Sequence, residues 1–379
     1  MSHSLPERPD LRMLKRQARE LMKAGGATQL AEALHQIARR HGFDSWPRLK
    51  QQVEALNDAG RLRQAIARDD LPAVAQLLRR RPELLHAPIG YGGLGALTWA
   101  AECRGGPPAP ERLAIARFLI AQGADVHEGG DAPLMRAALR SERIPMMALL
   151  LAQGADPNAR YKGYFPILHA PCETLEAGAL QWLLAQGAQP GEALDALLGG
   201  YERGPRLAAC IAVLREAGAT TRFALPGVLE LLSGDLACLA ALLDADPARV
   251  HAPLHGLAIG ASGARRLLLD GATLLHVAAE FGQLDAARLL HARGADLNAS
   301  GSDGATPLFH AVSQFNDAGL AMTDWLLRQG ARRDVVARLP GHYERPDEWV
   351  EGTALDYARR FPGEDFPGSN AATLARLQT

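Results

Sequence analysis

Residues 271–299 read GATLLHVAAEFGQLDAARLLHARGADLNA, which resolves into two short helices and an extended turn. Leu275, Ala278 and Ala279 place small and apolar groups on one face of a first helix, and Leu284, Ala287, Leu289 and Leu290 form the face of a second. The alanines let the two helices approach closely as an antiparallel pair. Gly294 supplies the left-handed residue that ends the second helix. The following Ala-Asp-Leu-Asn then carries the chain out into a finger. One such unit cannot bury its apolar face alone, so neighbours must stack on it.

The same phrases recur along the chain. An apolar run, a polar step and Gly-Ala stand in FLIAQGADVHE (118–128), LLLAQGADPNA (149–159), WLLAQGAQPGE (182–192), VLREAGATTRF (213–223), LLHARGADLNA (289–299) and WLLRQGARRDV (325–335). Their glycines fall at 123, 154, 187, 218, 294 and 330. A second phrase precedes them as GALTWAA (95–101), APLMRAA (132–138), FPILHAP (165–171), GATLLHVAA (271–279) and GATPLFHAV (304–312). This pattern resembles the ankyrin repeat, with its period of about 33 residues and its T-P-L-H-x-A signature.

The resemblance implies an all-α repeat solenoid of about nine helix-turn-helix units with short hairpin-like fingers, at about 61–91, 92–128, 129–160, 161–190, 191–222, 223–254, 271–300, 301–334 and 352–379. Repeats through 61–254 and 271–379 form two half-arrays around an insertion at 255–270. Those at 191–254 are degenerate, because GEALDALLGG and FALPGVLELLSGD lack the Pro-Leu-His phrase. The units at 61–91 and 223–254 are atypical in the same way, since LLRRRPELLHAPI (77–89) matches LLDADPARVHAPL. Insertions also break the period at Arg104–Glu111, Tyr201–Arg206 and Val335–Glu351. In such arrays they map to one edge, as binding elements or as tolerated solvated loops.

Residues 1–57 carry ten Lys and Arg against six Asp and Glu, leaving +4 there and −5 in the remainder. That change marks a boundary near Asn57 to Gly60. Leu11, Leu14, Ala18 and Leu21 form one helical stripe, with Arg12, Lys15, Arg16 and Arg19 mostly outside it. Ser45 reads as an N-cap before Trp46, Leu49, Val53 and Leu56, with Pro47 tolerated in the first turn. The segment resembles the N-terminus of many bacterial ankyrin proteins, which implies two or three helices covering the open end of the first repeat. The stretch from Gly341 resembles the tail of some of them and implies no activity.

With 47% hydrophobic and 22% charged residues and a net charge of −1, the chain has the composition of a protein that buries a core. No stretch reaches the roughly 18 apolar residues of a membrane span, and the first residues have no signal-peptide core. Cys103, Cys172, Cys210 and Cys238 stand far apart, so reduced thiols and a cytoplasmic location are expected. No metal-ligand spacing is present, and no metal or cofactor is expected. His276 holds the signature histidine position, where the resemblance implies a hydrogen bond to loop backbone. His169 and His310 sit one position later. His86 and His251 share the phrase His-Ala-Pro, which argues for a turn. GYGGLG (90–95) lacks the Lys-Ser/Thr of a phosphate loop and reads as a turn between repeats.

The leading expectation is a non-catalytic, monomeric scaffold that binds a protein partner through a concave groove. The resemblance implies that the partner meets finger tips and exposed first-helix positions. These map to Tyr91, Glu102, Cys103, Glu128, Leu139, Arg140, Tyr161, Lys162, Tyr164, Glu173, Asp270, Glu280, Phe281, Ser302, Asp303, Ser313 and Gln314. Tyr161 and Tyr164, flanked by Arg140 and Arg160, form the patch richest in the residue types that dominate interfaces. Packing of Tyr164 and Phe165 between fingers is the plainer account of the same residues. Two other classes stay open. One is nucleic-acid binding by the basic N-terminal helices, although no recognition motif accompanies them. The other is an enzyme with a site around His169, Cys172 or His342.

Overall fold

A computed structural model describes all residues except 1–4, 6–9, 28, 104–105, 201, 223, 263–264, 341–347 and 362–368. The chain divides into two compact units. The first holds residues 1–138 and 142–167, and the second holds 139–141 and 168–379.

The first unit opens with α1 (Leu11–Lys23), α2 (Leu30–Arg40) and α3 (Trp46–Ala67). Asp10 caps α1 through the Arg12 N–H at 2.7 Å, and Ser45 caps α3. Leu14 and Ala18 of α1, Ala33 and Ile37 of α2, and Leu49 and Val53 of α3 close one core. The second half of α3 belongs to another core. Its Leu62 and Ile66 pack with Val74 and Leu78 of α4 (Leu71–Arg80), Trp99 of α5 (Ala96–Ala101), and Ile115 and Leu119 of α6 (Pro110–Ala121). The pairs α3/α4, α5/α6 and α7 (Glu128–Ala138)/α8 (Ile144–Ala152) stack with first helices on first helices and second on second. The unit ends in a hairpin of β1 (Arg160–Tyr161) and β2 (Phe165–Pro166), with Tyr161 opposite Phe165.

The second unit contributes six further pairs. They are α9 (His169–Glu173)/α10 (Ala177–Ala185), α11 (Ala193–Gly199)/α12 (Leu207–Glu216), α13 (Val228–Leu232)/α14 (Leu236–Ala245), α15 (Leu274–Glu280)/α16 (Leu284–Ala292), α17 (Pro307–Val312)/α18 (Leu320–Arg328) and α19 (Ala354–Arg360)/α20 (Ala371–Gln378). Gly294 has φ 92° just past α16, the left-handed C-terminal stop that its sequence position predicts. Pro307 opens α17, where a missing N–H costs no hydrogen bond.

Two of the sequence insertions fold as antiparallel hairpins. Residues 255–270 contain β3 (Ala258–Ser262) paired with β4 (Arg265–Leu268), and 335–351 contain most of β5 (Ala337–Pro340) and β6 (Trp349–Gly352), which pair in register from Ala337–Gly352 to Pro340–Trp349. Each lies directly before the first helix of its repeat, so it lengthens the finger of that repeat.

The two atypical repeats share a local design. Asp70 and Asp235 cap α4 and α14 through the N–H three residues on, at 3.0 and 2.9 Å. Each helix then runs into a 3₁₀ turn, at Pro82–His86 and Pro247–Val250, so His86 and His251 both stand at the turn.

Candidate functional site

Three fingers of the first unit build one surface. The first carries the 3₁₀ turn Tyr91–Gly93, where Gly92 and Gly93 take φ of 66° and 79°. The second is almost bare, because Gly129 and Gly130 stand at its tip with φ of 64° and 80°. The third is the β1–β2 hairpin, which folds over that bare tip. The Lys162 N–H donates to the Gly129 carbonyl at 2.8 Å, and a Cβ at Gly130 would collide with the Arg160 carbonyl oxygen. Absence of side chains at 129–130 therefore lets the third finger reach the first.

The contact is a stack of aromatic rings and cations. The Arg136 guanidinium lies 4.2 Å from the Tyr91 ring centre, worth on the order of 1 kcal/mol. Tyr91 and Tyr161 meet at 6.1 Å and 41°, and the Lys162 ammonium lies 5.3 Å from the Tyr161 ring centre. Tyr161 is only 6% exposed, and a Cβ on Gly92 would sit 2.7 Å from its hydroxyl oxygen. That hydroxyl has no hydrogen-bond partner among the described residues. Tyr91 and Tyr164, by contrast, are 48% and 68% exposed. Arg136 is aimed by the carboxylate of Glu102 at 2.8 Å, and the Arg160 guanidinium donates to the Tyr164 carbonyl at 3.1 Å.

The carboxylates of these fingers are already engaged. Glu128 accepts from the Gly95 N–H and from the Thr98 hydroxyl at 2.9 Å, and so caps α5 from the next repeat. Buried Asp131 accepts from the Asp156 N–H at 2.8 Å and lies 2.7 Å from His127 Nδ1.

In the second unit Glu280, Phe281, Ser313 and Gln314, four of the mapped positions, turn inward. Glu280 is fully buried, with Arg203 Nη2 and His310 Nδ1 each 3.0 Å from its carboxylate. Gln314, also buried, donates to the Glu280 carbonyl at 2.9 Å, and the Arg203 guanidinium covers the Phe281 ring at 4.3 Å. Asp303 accepts the Ala305 N–H at 3.0 Å while its carbonyl takes the Arg338 N–H, which ties its turn to β5. Arg140 pairs with Glu176 at 3.2 Å. Burial works against the Glu176 charge, yet the Ser141 N–H and hydroxyl, with Arg140 and Arg206, hold the carboxyl below its ordinary range. Glu173 is half-buried at the end of α9. A cleft of about 540 Å³ opens beside this network, lined by Arg203, Pro205, Leu236, Phe281, Gln283 and Asp285.

A family model described as "Ankyrin repeats (many copies)" matches residues 275–327, and one described as "Ankyrin repeat" matches 129–162. The chain carries ankyrin repeats. Ankyrin repeats are in general protein-interaction modules, and these two matches include Arg136, Tyr161, Lys162, Glu280 and Gln314. Among solved structures, the human ASB11 ankyrin repeat domain is similar at 22% identity with a TM-score of 0.31, covering 64% of this chain and 97% of that one. No curated protein matches the chain.

Within the ankyrin repeat at 271–300, His276 does what its position implies. Its Nδ1 accepts the Thr273 N–H at 3.0 Å, so Nε2 carries the proton and donates to the Ala305 carbonyl at 3.1 Å. Thr98 stands at the same position in the second repeat and reaches Glu128 instead. The sequence pattern did not single out Arg136, Thr98 or the Gly129-Gly130 pair. Two glycines one residue ahead of an Ala-Pro-Leu phrase were the available signal.

Cys172 is fully buried with its thiol 3.4 Å from the Leu168 carbonyl, and burial pushes its pKa well up, away from a nucleophilic thiolate. Burial likewise raises Cys103 to about 11 and Cys210 to about 12. His169 is half-buried at the start of α9. His342 lies outside the described residues. Among the described residues no group of three His, Cys, Asp or Glu could hold a metal ion, and no helix is long and apolar enough to cross a membrane. Arg12, Lys15, Arg16, Arg19 and Lys23 are exposed along α1, while Leu14 and Ala18 on its other side are buried.

Proposed function

We propose that the chain is a non-catalytic, cytoplasmic scaffold that binds a protein partner on the finger surface of its first unit. Tyr91, Lys162 and Tyr164 make the contact, while Arg136, Tyr161, Glu102 and Glu128 hold them in place. The observation that carries this reading is exposure combined with support. Two of the large hydrophobic side chains most exposed to solvent, Tyr91 and Tyr164, stand on the first and third fingers, which meet over the bare second one, and Tyr91 is braced by a guanidinium and a second ring. A tyrosine held in one place loses little side-chain freedom on docking, and tyrosine concentrates interface energy. We leave Arg140, Glu173, Glu280, Phe281, Asp303 and Gln314 outside this surface. Of these, Glu280, Phe281 and Gln314 are buried, and Arg140 and Asp303 are tied down within the second unit.

The test places a photo-crosslinking amino acid at position 164 of the full chain in its source cells. One dominant crosslinked protein, lost when Tyr91→Ala is added, is the expected result. A crosslinking pattern indifferent to Tyr91→Ala would remove the finger surface from consideration.

A further inference from the structure

We propose that the outer face of α1 is a second docking surface, separate from the fingers, and that it takes the phosphate backbone of a double-stranded nucleic acid. From its cap to its last residue, α1 sets five cations, Arg12, Lys15, Arg16, Arg19 and Lys23, against two carboxylates, Asp10 and Glu20, a net of +3. All five cations are exposed. At 100° per residue they fall within an arc of about 100°, from Lys15 to Arg16, and along about 16 Å of helix axis. No other residue of α1 lies in that arc. Leu14 and Ala18 lie on the opposite side, buried in the N-terminal core. Glu20 stands at the edge of the arc and reaches Arg16 at 3.8 Å. Arg12, Lys15, Arg19 and Lys23 have no ion-pair partner among the described residues. The basic residues that follow are different: Arg39 and Arg48 share Asp44 at 3.2 and 2.7 Å, and Lys50 reaches Glu54 at 3.7 Å.

The arc carries no apolar or aromatic side chain, so its occupant is held by charge alone. A lipid surface anchors an amphipathic helix through apolar residues, and those of α1 are buried. A single strand gains from rings on which its bases stack, and this face has none. An acidic protein has to match the cations at their own spacing. A duplex carries one charge per about 1.7 Å of its axis and meets them in any register. Shape agrees with charge. A helix with its side chains is about 10–12 Å across, and the major groove is about 12 Å wide with phosphates along both edges. The spread from Lys15 to Arg16 turns one flank of the stripe toward each edge.

The experiment measures fluorescence anisotropy of the full chain with a labelled DNA duplex of about twenty base pairs, from about 50 to 200 mM salt. Oligothymidylate, polyglutamate and vesicles of phosphatidylserine and phosphatidylcholine are the comparison probes. The duplex is expected to bind whatever its sequence, with log Kd rising by roughly 3–4 per unit of log salt, about 0.9 for each phosphate met. Arg12→Gln, Lys15→Gln, Arg19→Gln and Lys23→Gln together should weaken binding at least tenfold and flatten that slope. The control removes as many exposed cations from the second unit, as Arg288→Gln, Arg328→Gln, Arg332→Gln and Arg359→Gln, each of them bridged to a carboxylate. It has the same net charge and should stay within about threefold of the original chain, and thermal unfolding reports that both variants are folded. Tyr91→Ala with Tyr164→Ala should leave duplex binding unchanged, which separates this surface from the fingers. No duplex binding at the lowest salt, or equal loss in the two fourfold variants, overturns the proposal. Tighter binding of the single strand, polyglutamate or the vesicles than of the duplex overturns it too and names the occupant that replaces it.

Discussion

Thr273 and Thr306 occupy the same position in successive repeats, and both are buried. The hydroxyl of Thr273 lies 2.9 Å from His276 Nδ1. The position of His276 is held by Phe309 in the next repeat, and the Thr306 hydroxyl there has no partner among the described residues. A buried polar group with no partner costs roughly 1–3 kcal/mol. Thr306→Val keeps the shape and removes the orphan, so it should stabilise the protein by about 1 kcal/mol. Thr273→Val should cost about 1 kcal/mol, since it removes the hydroxyl contact to His276 Nδ1 and leaves that nitrogen the Thr273 N–H alone. Urea unfolding of the two variants checks the pair, and the same sign for both would refute the argument. His276 adds a pH dependence. Burial, with His310 nearby, lowers its pKa from 6.5 to about 3, so the folded chain holds it neutral while the unfolded chain protonates it. Its contribution is complete above pH 6.5 and is lost as pH falls from there toward 3. Between pH 7.5 and pH 5 this amounts to about 2 kcal/mol. His276→Gln should flatten the pH dependence of the urea midpoint over that range; an unchanged slope would assign the effect to other groups.

The β1–β2 hairpin shows how an element can depend on side chains that are missing. Gly130→Ala puts a methyl group against the Arg160 carbonyl and forces a left-handed φ of 80° on an alanine. The strain is of order 1–3 kcal/mol, and undocking the hairpin is the way to relieve it. Amide exchange at Lys162, whose N–H is held by Gly129, should rise at least tenfold, while Leu134 in α7 stays protected. A protected Lys162 amide in that variant would mean that the hairpin docks without the bare finger. The same element marks the limit of what the sequence displays. Helix pairs and the Gly294 stop are legible because each follows from residues within one period, and the His276 bond because the resemblance to the ankyrin repeat implies it. Tyr161 meeting Tyr91, two fingers away, is not, since it follows from what Gly129 and Gly130 lack. Nor is Arg203 reaching Glu280 across 77 residues, because the insertion that carries it has no partner phrase to match. Mapping by repeat position put Glu280, Phe281 and Gln314 on an open groove. Glu280 is instead engaged by Arg203 and His310, which come from other repeats than its own, and Arg203 also covers Phe281.

At the scale of the whole molecule, the charge balance and the helices divide the chain at different places. Composition changes sign near 57–60, yet α3 runs unbroken from Trp46 to Ala67 through that point. Net charge reports which partners and solvent a surface meets, whereas a helix is continuous wherever both its ends are packed. Leu49 and Val53 anchor α3 in the N-terminal core, and Leu62 and Ile66 anchor it in the core of the first repeat. The two cores therefore share one helix, and Gly60 stands exposed at the middle of the shared stretch. Space around Gly60 is open, so Gly60→Ala meets nothing and gains about 1 kcal/mol of helix propensity. Gly60→Pro removes the N–H that closes the turn and costs about 3 kcal/mol or more. Hydrogen exchange at Val53 and at Ile66 separates the possibilities. If the helix couples the two cores, protection at both amides should rise together in the alanine variant and fall together in the proline variant. Protection that falls at Ile66 alone would show residues 1–57 to be an independent module, joined to the repeats by a helix that either can lose.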